Sequence, residues 1–126
     1  MADPKSTASP EATLAAVESL LARSNEIRGG AILGPDGVLA ASKDSPAWGD
    51  AGRSLLEAAD RAAGSRATHA HVATEEGEVF AVRAGALAMV AVASRFTLAS
   101  LVFADMRAAL REALASDGTA TLKDAA

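Results

Sequence analysis

The tetrapeptide Gly34-Pro35-Asp36-Gly37 constrains this chain more than any other stretch. It lies between two short apolar runs, residues 31–33 and 38–41. Proline presets φ at the first turn position, aspartate bonds its own backbone, and glycine takes the left-handed position. The pattern predicts a β-hairpin built on a type I turn with a bulge at Gly37. Two strands alone are not stable in water, so the rest of the chain must extend the sheet and cover it.

The segments before and after the hairpin read as helices. Ser9-Pro10-Glu11 has the form of an N-cap, a first helical position and an acid favoured by the helix dipole. A helix is predicted from Pro10 to about Ser24, with Leu14, Val17, Leu20 and Leu21 on the buried side and Ala16, Ser19 and Arg23 opposite. Asn25 and Gly29-Gly30 are expected to end it. After the hairpin, Ser45-Pro46 repeats the cap-and-proline start, and Gly64 is placed to stop a second helix at about Ala63. The apolar arc of that helix comprises Ala58, Ala51, Ala62, Leu55, Trp48, Ala59, Gly52, Ala63 and Leu56. It spans nearly half the wheel, wider than the ~100° one sheet contact requires. Asp50, Arg53, Glu57, Asp60 and Arg61 occupy the other side. The surplus of small apolar residues calls for a second close neighbour, either another helix of this chain or the same helix in a second subunit.

Three strands follow, at residues 68–74, 78–84 and 87–93, joined by turns at Glu75-Glu76-Gly77 and Gly85-Ala86. Consecutive antiparallel strands make a meander. The third strand is the most apolar and belongs at the centre. The first is the most polar and reads as an edge, open to pairing with another chain. Thr97 is expected to cap a third helix that runs to about Ala115. Its apolar face is Leu98, Val102, Phe103, Met106, Ala109, Leu110 and Leu114, with Leu101 stranded among polar residues. Ser116-Asp117-Gly118 should end it. The fold class is α+β, in the order α-β-β-α-β-β-β-α. A five-stranded, mostly antiparallel sheet carries the second helix on one face and the first and third on the other. One domain covers residues 10–115, between a disordered tail at 1–9 and a flexible one at 116–126.

Composition narrows the function. A chain of 126 residues suits one domain and is small for an enzyme with an enclosed pocket. Net charge is −4 and the basic residues are scattered, which argues against nucleic acid as a partner. There is no cysteine, hence no disulfide framework or thiolate chemistry. The start of the chain lacks an apolar signal segment, and the longest apolar run, residues 86–93, is far below the ~20 residues that span a bilayer. A cytoplasmic protein without direct membrane insertion is the expectation.

The element order and the run Gly30-Ala31-Ile32-Leu33-Gly34-Pro35-Asp36-Gly37-Val38-Leu39-Ala40 resemble the roadblock/LC7 family. The central helix of small residues, Glu76-Gly77-Glu78 between two strands, the apolar strand at 87–93 and the long last helix add to the resemblance. It covers about residues 10–115 and contains no catalytic signature. Longin and profilin-like domains share much of the layout and would instead imply a ligand-sensing or structural interaction module. The roadblock/LC7 resemblance implies a non-enzymatic homodimeric regulator or scaffold without a cofactor. Bacterial members are often paired with a small Ras-like GTPase, which they regulate. The implied dimer seam falls on the edge strand, Thr68, His69, Ala70, His71, Val72, Ala73 and Thr74, and on Ala51, Leu55, Ala58 and Ala62 of the second helix. Trp48, Arg53, Glu57 and Arg61 are candidates for contact with the GTPase.

Other residues carry possible chemistry. His69 and His71 share one strand face and are positioned to supply two metal ligands. The competing account makes them polar residues at a subunit seam, or titrating groups that tie association to pH. Glu75, Glu76 and Glu78 read as a solvated hairpin tip. Gly34–Gly37 opens a strand rather than a helix and is not followed by Gly-Lys-Ser/Thr, so it is not a P-loop. Arg53, Arg61 and Arg95 are each placed to act as an arginine finger, although exposed helix arginines more commonly serve solubility. Trp48 would be an interaction hot spot if exposed.

Overall fold

Ser9 does what its position dictates. Its hydroxyl accepts a 3.0 Å hydrogen bond from the Ala12 amide and starts helix α1, Pro10–Arg23, with Pro10 in the first turn. The computed structural model describes residues 9–42, 47–75, 77–94 and 97–115. The Ser45-Pro46 cap, Glu76, Arg95, the stop at 116–118, residues 1–8 and 119–126 and the side chain of Trp48 lie outside the described residues.

The hairpin forms as expected, from β1, Ile27–Gly34, and β2, Gly37–Ala41. Its irregularity is displaced, however. Gly34 pairs with Gly37, Leu33 with Val38 and Ile32 with Ala40, so Leu39 rather than Gly37 is the extra residue. Gly29 and Gly30 do not end α1. They lie inside β1 and are buried. A Cβ on Gly30 would stand 3.3 Å from the Val90 carbonyl and 3.7 Å from Leu20 of α1, so glycine here permits close helix–sheet approach.

Helix α2, Ala47–Ala63, ends at Gly64, whose φ of +73° is the left-handed conformation of a helix-terminating glycine. Strands β3, His69–Ala73, β4, Glu78–Ala84, and β5, Leu87–Ala93, form the meander, and helix α3, Ala99–Ala115, closes the domain. The sheet order is β2-β1-β5-β4-β3, with every neighbouring pair antiparallel. β5 is therefore central and β3 is an edge, as their polarity predicts.

Helices α1 and α3 cover one face and α2 the other. The larger core lies under α1 and α3 and contains Val17, Leu20, Ile32, Phe80, Met89, Met106 and Leu110. A smaller cluster beneath α2 holds Leu33, Leu56, Ala81 and Val90. The buried face of α1 is rotated from the expected one. Thr13 and Ala16 are buried, whereas Leu14 is 43% exposed. The cause is α3, which packs beside α1 and buries Ala109 and Ala113. Small residues on both helices allow them to run close, and the Thr13 hydroxyl satisfies itself on the Pro10 carbonyl at 2.9 Å.

Two further expectations at α3 are corrected. Thr97 is not at the cap position: α3 begins at Ala99, and the Leu98 carbonyl accepts from the amides of Leu101 and Val102 in its first turn. Leu98 itself is 63% exposed and does not join the apolar face. Among the described residues, no helix is long and apolar enough to cross a membrane.

Candidate interaction surface

Gly49, Gly52 and Leu56 stand at helical spacing and form the line along which α2 rests on the sheet. A Cβ on Gly52 would overlap Val90 Cγ2, and one on Gly49 would overlap Val38 Cγ2. Because two of its three residues have no side chain, this line takes up little of the wide apolar arc, and part of the remainder faces outward. Ala51, Ala58 and Ala62 are exposed and Leu55 is half-buried. The sequence put all of them on one broad apolar face, and the structure divides that face into a buried glycine line and an open alanine line.

Beside this helix lies the edge strand β3. Its residues alternate, as strand side chains must. Ala70 packs against the small cluster under α2, and Val72 is 39% exposed. His69 and His71 point to the opposite face, toward α3. His71 stacks on its cross-strand neighbour Phe80 with ring centroids 4.2 Å apart and planes within 7°. His69 meets the Phe103 ring edge-on at 4.9 Å, and Phe103 meets Phe80 in the same manner at 5.2 Å. The two histidines therefore share a face, as predicted, but that face is an aromatic cluster. Among the described residues, no group of three or more acidic or histidine side chains is arranged to hold a metal ion.

Glu78 departs from the expected solvated hairpin tip. It is 7% exposed, and its Oε1 lies 2.9 Å from His71 Nε2 and accepts the Thr97 hydroxyl at 3.2 Å. Thr97, misread as a cap, is thus a buried-carboxylate partner. The tip is held instead by Thr74, whose amide and hydroxyl both donate to the Gly77 carbonyl at 2.8 Å. Glu75 is exposed.

The polar side of α2 is also not uniformly solvent-facing. Asp60 forms a two-point pair with Arg83 of β4, at 2.8 and 3.0 Å. The same carboxylate accepts the Ala67 amide at 2.6 Å, and Arg83 donates to the Ala67 carbonyl at 2.7 Å. Arg83 first, then the Ala67 amide, lowers the Asp60 pKa from 3.8 to about 2. This latch fixes the end of α2 and the loop into β3. Arg53 turns inward and donates to the Gly34 carbonyl at 3.0 Å. Of the polar residues expected to face a partner, Glu57 and Arg61 are exposed. The signals missed in the sequence were short ones: the Gly49/Gly52 spacing, and Asp60 seven residues before the amide it binds.

No family model matches the chain, and no curated protein matches its sequence. Solved structures do match. A Roadblock/LC7 domain from Streptomyces avermitilis superposes with a TM-score of 0.68 at 16% identity, over 78% of this chain and 91% of that one. The gliding protein MglB from Thermus thermophilus gives 0.65 at 16% identity, over 91% and 98% of the two chains. Myxococcus xanthus MglB gives 0.64 at 10% identity, over 89% of each. With the same element order and a five-stranded antiparallel sheet between α1/α3 and α2, the chain has the roadblock/LC7 fold.

Proposed function

We propose that this protein is a non-enzymatic homodimer that binds a small Ras-like GTPase and modulates its nucleotide cycle. The observation that carries the reading is the open alanine line of α2, Ala51, Ala58 and Ala62, lying alongside the unpaired edge of β3 with Val72 exposed. An edge strand left bare is an invitation to sheet extension, and small residues let two helix backbones approach closely. Joining two copies at β3 would bring the two α2 helices together on one face. The likeness to two MglB structures supports the same reading. Of the GTPase-contact candidates, Glu57 and Arg61 are displayed on the exposed side of α2, and Arg53 is partly withdrawn to the β1–β2 turn.

The test uses the purified chain and the Ras-like GTPase encoded nearest its gene. Light scattering should report the mass of two chains. Mixing with the GTPase, loaded with GTP or with GDP, should yield a complex in at least one state and a changed hydrolysis rate. A monomer that neither binds the GTPase nor alters its turnover in either state overturns the reading.

A further inference from the structure

Arg53, Arg66 and Arg83 converge on one cleft of about 300 Å³, at the end of the sheet where α2 passes the β1–β2 and β4–β5 turns. Its floor is apolar, made of Leu33, Leu56 and Leu87, all almost fully buried. Among the described residues, no carboxylate lines it. Arg83 is neutralised from behind by Asp60. The field of Asp60 also reaches Arg66, but the other two guanidiniums are held differently. Arg53 donates to the Gly34 carbonyl at 3.0 Å, and Arg66 to the Gly85 carbonyl at 3.4 Å. Neither has a carboxylate within ion-pair distance among the described residues. Glu57, whose field reaches Arg83, sits on the exposed surface of α2 outside the lining. A backbone carbonyl orients a guanidinium without cancelling its charge and leaves most of its five N–H donors unused. In a chain of net charge −4, this is a local concentration of positive charge in a concave place.

We propose that this cleft binds a small oxyanion, a carboxylate or phosphoryl group carried on a compact apolar body. The planar guanidinium fork matches both kinds of oxyanion with paired hydrogen bonds. The leucine floor would take the methylenes of the same ligand. The inference concerns one chain alone and does not depend on dimerisation or on a GTPase.

The full-length protein, labelled with nitrogen-15, is titrated with sodium phosphate and separately with sodium succinate, at constant ionic strength against sodium chloride. Saturable shifts are expected at the Gly34, Arg53 and Gly85 amides with at least one of the two. Response to phosphate alone identifies a phosphoryl ligand, and response to succinate alone a carboxylate. Arg66→Ala, at an exposed position, should weaken binding several-fold, and Arg53→Ala/Arg66→Ala by about tenfold or more. Should the double variant fail to fold, the single Arg66 variant decides the matter. The proposal is overturned if neither anion shifts these amides beyond chloride, or if the affinity survives Arg66→Ala unchanged.

Discussion

Asp60 is the residue whose titration the fold feels most clearly. Its carboxyl is held at about 2, below its ordinary 3.8, by the Arg83 guanidinium and the Ala67 amide. A depressed carboxylate pKa means stability that is complete above the unfolded value and disappears as pH falls through the folded one. Asp60→Asn is therefore expected to lower the melting temperature at pH 7. The gap to the parent protein should hold down to about pH 4.5 and close between about pH 4 and pH 2. A melting series by circular dichroism measures it, and a gap that stays constant down to pH 2 would contradict the assignment. The latch was not legible in the sequence. Asp60 falls on the polar side of the α2 wheel, and nothing local announces that Arg83, 23 residues on, reaches back to it. Glu78 was opaque for the same reason. Its neighbours Glu75 and Glu76 mark a turn, while its burial is decided by His71 and Thr97 across space.

At the level of elements, α2 explains both what the sequence disclosed and what it hid. The order of helices and strands was readable because Gly34-Pro35-Asp36-Gly37, Glu75-Glu76-Gly77 and Gly85-Ala86 punctuate the strands, and because 87–93 is too apolar to be anywhere but the centre. Which side of α2 meets the sheet does not follow from its apolar wheel. Hydrophobic wheels weigh side chains, and apart from Leu56 the contact is made where there are none, at Gly49 and Gly52. Two substitutions on opposite sides of this helix should behave in opposite ways. Gly52→Ala places a methyl against Val90 and is expected to cost roughly 1–3 kcal/mol in urea denaturation, as overpacking does. Ala58→Glu, on the exposed side, is expected to leave the far-ultraviolet spectrum of the chain intact and to convert a two-chain mass into a one-chain mass by light scattering. If Ala58→Glu leaves the dimer whole, the alanine line is not its seam. The corrected boundaries at Thr97 and at Gly29-Gly30 have a common origin. Cap and breaker residues also serve inside strands and in side-chain networks, and tertiary contacts choose between these uses.

For the molecule as a whole, the three layers are unequal. Two helices seal one face with a core that includes Phe80, Met89 and Met106, whereas a single helix covers the other over the small cluster of Leu33, Leu56, Ala81 and Val90. A standard protein interface buries about 800 Å² on each partner, enough to complete the thinner side. If two chains share that burden, folding and association are linked, and the melting temperature must rise with protein concentration. Scanning calorimetry over a hundredfold concentration range should show the midpoint climbing steadily. A midpoint independent of concentration would describe a chain stable by itself.

Val90 beneath Gly52, with Val38 and Leu33 beneath Gly49, also sets a level. At these two positions the helix contributes only hydrogen atoms, so its height over the sheet is fixed there by the methyl groups beneath it, with little room to absorb a change. Whatever reads the outer surface of α2 meets a platform raised or lowered from underneath. A single added carbon at Gly49 or Gly52, hidden beneath the helix, would lift that platform without altering one exposed atom's identity, and on the proposed reading would loosen whatever docks there.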